Sequence, residues 1–178
     1  MKSALLVIAP EMFRDEEYDH PKRVLESRGA HVTTASTVPG TATGRFGLHA
    51  QATVSVADAA QADWDAVLFI GGPGARVFFD DPDAHALARR VTETGGVLGA
   101  ICIAPSTPAH AGLLDGVSAT AFPSQEEDLV AHGATWTGEP VTVEGRIVTA
   151  NGPEAAVEFG HAVADLLELP GTDEEDAS

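Results

Sequence analysis

A chain of 178 residues, 44% of them hydrophobic, is long enough and apolar enough to bury one full core, which excludes a disordered protein. Its 27 acidic against 10 basic residues leave a formal charge of −17, which repels nucleic acid and anionic membranes and reads as a solvated surface suited to high salt, where screening removes the self-repulsion. No apolar run approaches the ~20 residues of a bilayer span, the start Met1-Lys2-Ser3-Ala4 lacks a signal-peptide pattern, and one cysteine excludes an internal disulfide, so a cytoplasmic protein is expected.

Ser3 to Ala9 is a continuous apolar strand, as in a parallel sheet covered on both faces. A polar loop follows, then a helix over Tyr18 to Arg28 stopped by Gly29. His31 to Ser36 alternates and reads as the second strand, Thr37 to Ala52 as a loop or edge hairpin, and Thr53 to Val56 as another short strand. Ala66 to Ile70 is a second buried strand running into Gly71-Gly72-Pro73-Gly74. Asp81 to Thr94 is helical, Val97 to Ile101 is a strand, and a short helix follows through Ala111. Ser118 to Ala121 reads as a strand and Gln125 to His132 as a helix ended by Gly133. Val141–Val143 and Ile147–Thr149 form a hairpin around Glu144-Gly145-Arg146. The last helix starts at Pro153 and buries Ala156, Phe159, Val163 and Leu166 at helical spacing. Alternation of this kind predicts an α/β three-layer sandwich with a mostly parallel, flavodoxin-like sheet. Residues 1–169 are expected to form a single domain and 170–178 a disordered acidic tail.

Ligands of such sheets bind at the carboxyl ends of the strands, so the Pro10–Tyr18 loop, the Gly71–Gly74 turn and Cys102 should gather at one edge. Pro105 can begin a helix because the first helical residue needs no amide hydrogen. Cys102 then sits at a strand-to-helix turn, facing the free N–H groups of a helix start, which favour the nucleophilic thiolate over the thiol. The ordinary alternative is a buried structural cysteine. Gly71-Gly72 is not a dinucleotide fingerprint, since no G-x-G-x-x-G is present. Beside Cys102, however, the Gly72 and Ile103 amides could form an oxyanion hole; Pro73 has no N–H to offer.

Phe13-Arg14-Asp15-Glu16-Glu17-Tyr18-Asp19-His20-Pro21, Asp65-Ala66-Val67-Leu68-Phe69-Ile70-Gly71-Gly72 and Ala100-Ile101-Cys102-Ile103-Ala104-Pro105 resemble, in that order, the ThiJ/PfpI superfamily. This superfamily includes PfpI-type intracellular proteases and the parkinsonism-associated protein deglycase. Gly47-Leu48-His49 and Thr149-Ala150-Asn151-Gly152-Pro153 match more weakly. The resemblance implies a glutamine amidotransferase-like fold, a cysteine nucleophile on an elbow, no cofactor and a homodimer. It also implies a commonly protonated acid against the sulfur. Glu11, Asp15, Glu16, Glu17 and Asp19 compete for that role; the family's acid stands four residues before a proline, which selects Glu17 before Pro21. Protonation has a physical reason, because two anions in a dry pocket cannot both stay charged cheaply.

Departures from the pattern matter as well. Many PfpI-type proteases carry His after the nucleophile, where this chain has Ile103, and the deglycase branch has a His where Phe122 stands. The acid that PfpI-type proteases donate across a subunit contact falls near Arg76. His20, His49 and His110 are candidates to line the site, with helix packing the ordinary alternative for His110. The seven histidines show no H-E-x-x-H spacing and there is one cysteine, so no metal site is expected. Three functions follow: a cofactor-independent enzyme acting on small reactive carbonyls or glycated protein through a hemithioacetal on Cys102; a redox-sensing or chaperone-like stress protein whose Cys102 oxidises to sulfinate; and a PfpI-type cysteine peptidase or amidase.

Overall fold

The structure, a computed structural model, describes residues 1–171; the acidic run Asp173–Asp176 lies outside the described residues. In chain order the elements are β1 (Ser3–Val7), β2 (Glu11–Phe13), α1 (Asp15–Ser27), β3 (His31–Ser36), β4 (Gly40–Gly44) and β5 (His49–Ala52). Then come β6 (Val54–Ser55), α2 (Val56–Ala59), β7 (Ala66–Phe69), α3 (Pro82–Glu93), β8 (Val97–Ile101) and α4 (Ser106–His110). The chain closes with β9 (Ser118–Ala119), α5 (Glu126–Ala131), β10 (Thr135–Trp136), β11 (Val141–Glu144), β12 (Ile147–Ala150) and α6 (Ala156–Leu166).

Seven strands form the central sheet in the order β11-β12-β8-β7-β1-β3-β6. Every neighbouring pair is parallel except the β11–β12 hairpin at the edge. Apolar runs of period 2 divide the core between the two faces. Leu6, Ile8, Leu68 and Ile101 pack with Leu25 of α1 and Phe159 and Val163 of α6, while Leu5, Val7, Val67 and Leu98 pack with Val56, Leu87 and Val91 on the other side. The expected three-layer sandwich is the observed architecture. No helix among the described residues is long and apolar enough to cross a membrane.

Several boundaries differ from expectation for local reasons. Helix α1 begins at Asp15 rather than Tyr18, because Asp15, Glu16 and Glu17 occupy its first turn, where the helix dipole favours negative charge. The Asp15 carboxylate also accepts from the amides of Phe46 and Leu48, both at 2.9 Å. Thr37–Ala52 contains the hairpin β4–β5, which pairs with β2 as a separate three-stranded sheet. The strand expected over Thr53–Val56 is cut to Val54–Ser55 because Ser55 Oγ accepts from the Asp58 amide and caps α2. Strand β9 ends at Ala119 and pairs with β10, two residues too short to show a period. A 3₁₀ turn over Pro153–Ala155 precedes α6, and Leu167, rather than the half-buried Leu166, completes its apolar face.

Helices α1 and α6 cross where Gly160 meets Pro21: a Cβ on Gly160 would stand 3.0 Å from Pro21 Cα. Arg28, 6% exposed, fastens the end of α1 to the last described residues. Its Nε donates to the Pro170 carbonyl at 2.9 Å, its Nη2 to the Leu169 carbonyl at 2.9 Å, and it pairs with Asp165 at 2.8 Å. Pro170, assigned above to the tail, is therefore held against the body of the protein.

Candidate active site

Strand β8 delivers Cys102 to the carboxyl edge of the sheet, and the next three residues turn before α4 begins at Ser106. Cys102 has φ 63°, in the left-handed region that costs a residue with a Cβ roughly 1 kcal/mol or more. Its amide donates to the Ala150 carbonyl at 2.9 Å and its carbonyl accepts from the Phe122 amide at 2.8 Å, so the neighbouring segments hold the strained turn.

Glu17, wholly buried on the first turn of α1, reaches the sulfur from beneath. Neither of its oxygens has a hydrogen-bond partner of ordinary geometry. The Cys102 thiol and the Gly71 amide lie near enough to pull its pKa down, but burial outweighs them, with Arg14 also lowering and Glu16 raising, and the carboxyl is pushed up to about 7. Burial likewise pushes the Cys102 thiol up to about 12, reinforced by the Glu17 charge and opposed by the amides of Gly72 and Ile103. This corrects the expectation of a thiolate ionised by a helix start: α4 has five residues and begins four positions after Cys102. Acid and thiol instead titrate as a coupled pair, losing one proton near 7 and resisting loss of the second. The first charge therefore rests on Glu17, which the thiol and the Gly71 amide face, while the amides of Gly72 and Ile103 only partly offset the burial of the sulfur.

The amides of Gly72 and Ile103 both lie within reach of the Cys102 sulfur. Gly72, with φ 101°, places its N–H by a conformation that favours glycine, and a Cβ there would strike Arg14, Met12 and Phe13. Ile103 follows the sulfur directly. Cys102, Gly72 and Ile103 open onto a cleft of about 250 Å³ whose walls include Arg14, Arg45, Arg76 and Phe122. None of His20, His49 or His110 lines that cleft. His20 is half-buried on α1, and His49 sits on β5 beside Thr43. His110 is held outside the cleft by Asp80 and Asp128, bringing Asp128 and His132 within reach of it. The three arginines were not singled out from the sequence as ligand contacts; positions 14, 45 and 76 share no motif, and the topology alone assembles them.

A doubly covered, mostly parallel sheet with a left-handed cysteine directly after strand β8 defines an α/β sandwich of the cysteine-elbow class. Residues 2–166 match the DJ-1/PfpI family model, and the chain belongs to that family. An uncharacterised protein of Methanocaldococcus jannaschii is 35% identical over 94% of this chain and 84% of its own length. A deglycase of Pyrococcus abyssi is 26% identical over 84% of this chain and 90% of its own, and a glutathione-independent glyoxalase of Caenorhabditis elegans is 25% identical over 95% and 90%. The crystal structure of a ThiJ/PfpI domain protein from Brachyspira murdochii superposes with a TM-score of 0.89 at 32% identity, covering 93% of this chain and 96% of that one.

Proposed function

We propose that the protein is a cofactor-independent enzyme that converts small α-oxoaldehydes to 2-hydroxy acids on Cys102. The observation that carries this reading is the buried Glu17 carboxyl, unpaired by any ordinary hydrogen bond, set against the sulfur and titrating near neutrality. A proton carrier works best when its pKa lies near the working pH.

Ionised Glu17 takes the thiol proton as the Cys102 sulfur adds to the aldehyde carbon; a C–S bond forms, and the carbonyl electron pair moves to oxygen, which takes that proton back from Glu17. The amides of Gly72 and Ile103 stabilise that oxygen as its charge develops. Glu17, now a carboxylate, removes the C–H proton of the hemithioacetal and delivers it to the neighbouring carbonyl oxygen, giving an enediol. The enediol loses its hydroxyl proton at the first carbon and gains one at the second, leaving a thioester of a 2-hydroxy acid. One carbon is oxidised as its neighbour is reduced, so no external oxidant is needed. Water then cleaves the C–S bond, its hydroxyl going to the acyl carbon and its proton to sulfur, which releases the 2-hydroxy acid and restores the thiol beside the Glu17 carboxylate.

The deglycase and glyoxalase among the relatives support carbonyl chemistry. A peptidase would need a proton donor for its amine leaving group, and no histidine is among the described residues lining the cleft. The test is lactate formation from methylglyoxal without added thiol or metal. Loss of that product in Cys102→Ser is expected; equal rates in both proteins would refute the mechanism.

A further inference from the structure

The walls of the Cys102 cleft carry the wrong charge for this protein. The chain has only 10 basic residues against 27 acidic ones. Yet Arg14, Arg45 and Arg76, from three separate segments, line this one opening, and no carboxylate is among the described residues lining it. Arg14 is compensated by its ion pair with Glu16. Arg45 and Arg76 make no ion pair and no side-chain hydrogen bond among the described residues, although the rest of the chain is rich in acids.

Their stacking leaves the guanidinium edges free. The central carbon of Arg45 lies 5.6 Å from the centroid of Phe46, which also meets Arg14 at 4.9 Å, and Arg76 lies 5.8 Å from that of Phe79. A guanidinium resting on a ring face keeps its N–H fork available, and that fork matches the two oxygens of a carboxylate or phosphate. The net charge of −17 opposes any anion in solution, so a local cation cluster at the reactive sulfur has to be specific to be useful.

We propose that the substrate of this site carries its own anionic group: an α-oxoaldehyde with a carboxylate or phosphate a few bonds from the reacting carbonyl, held by Arg45 and Arg76 while Cys102 attacks the aldehyde. The proposal rests on the carbonyl reading above and narrows it from small neutral aldehydes to charged ones.

The experiment compares kcat/KM for 4,5-dioxopentanoate, its methyl ester, hydroxypyruvaldehyde phosphate and methylglyoxal, in the full-length protein and in the double variant Arg45→Gln/Arg76→Gln. At least one anionic substrate is expected to exceed the ester and methylglyoxal by tenfold or more, and this ratio should fall by at least tenfold in the double variant. The better of the two anionic substrates identifies the group. A ratio near one in the unaltered protein, or an unchanged ratio in the variant, overturns the proposal. If no α-oxoaldehyde is turned over, the carbonyl reading fails, and the anion subsite is decided by calorimetry with unreactive 4-oxopentanoate. Binding weakened tenfold or more in the double variant supports the subsite; absence of binding, or equal binding to both proteins, overturns it.

Discussion

The Arg14 amide donates to the Gly71 carbonyl at 2.9 Å, and this one bond joins the two segments that meet under the sulfur. Arg14 caps the helix that presents Glu17, and Gly71 precedes the amide of Gly72. The approach is so close that a Cβ on Gly71 would strike Glu17 Oε1 and stand 2.6 Å from Cys102 Cβ and 2.8 Å from the Ile101 carbonyl oxygen.

Gly71→Ala should therefore separate acid from thiol while leaving the sheet in place. Overpacking of this kind costs about 1–3 kcal/mol. The expected result is a lower melting temperature, an unchanged far-ultraviolet circular dichroism spectrum below it, and iodoacetamide alkylation of Cys102 that no longer follows the Glu17 titration. Native alkylation behaviour in the variant would show that this contact does not set the pair's geometry.

The coupled pair predicts a pH profile. Below about 7 the pair carries both protons and the sulfur is a neutral thiol; above it Glu17 is a carboxylate able to accept the thiol proton as the sulfur attacks, while ionisation of the thiol by itself is held off to about 12. The alkylation rate of Cys102 should rise through pH 7 and level off, and the midpoint near 7 should vanish in Glu17→Gln. An inflection near 8.5, the value of a free thiol, would mean that the two groups titrate independently.

Burial of Glu17 has a stability cost with a definite sign. Its pKa rises from 4.5 to about 7 on folding, so the folded protein holds a proton that the unfolded chain releases between those values. Stability contributed by this group is greatest below pH 4.5, declines through that window, and above pH 7 is lower by about 3 kcal/mol. Glu17→Gln, which cannot ionise, should raise the melting temperature at pH 8 and change it little at pH 4.5. Equal shifts at both pH values would exclude charge burial as the cause.

His110 supplies a slope of the same sign, displaced to higher pH. Burial lowers its pKa, but hydrogen bonds with Asp80 at 2.7 Å and Asp128 at 2.8 Å outweigh that and hold it above the ordinary histidine value. A raised imidazole contributes stability that is fully present below pH 6.5 and is lost as pH climbs through the folded value. With Asp80 exposed, the bridge is worth about 1 kcal/mol or less. His110→Gln should destabilise more at pH 6 than at pH 9. A larger loss at pH 9 would contradict a charged bridge.

The strands of the sheet were legible because a parallel strand covered on both faces is an unbroken apolar run, as in Ser3–Val7, Ala66–Phe69 and Val97–Ile101. The start of α1 was not, since three consecutive acids look like loop until the helix dipole is counted. Glu17 could be chosen among five carboxylates only by its register against Pro21 within the family resemblance. The ionisation of Cys102 was misjudged because burial and a neighbouring acid, both tertiary facts, outweigh the local turn. The candidate histidines failed for a related reason: side chains near the cysteine in sequence or motif, such as His110, point to other partners once the helices pack.

The Arg28 fastening carries the chemistry to the far end of the chain. Glu17 sits on α1, α1 leans on α6 at Gly160, and Arg28 rivets both to Asp165, Leu169 and Pro170. Residues that never touch a substrate thus brace the proton carrier from behind. Removing Leu169 and Pro170 would take away two of the carbonyls that hold Arg28, and with them part of the brace behind Glu17.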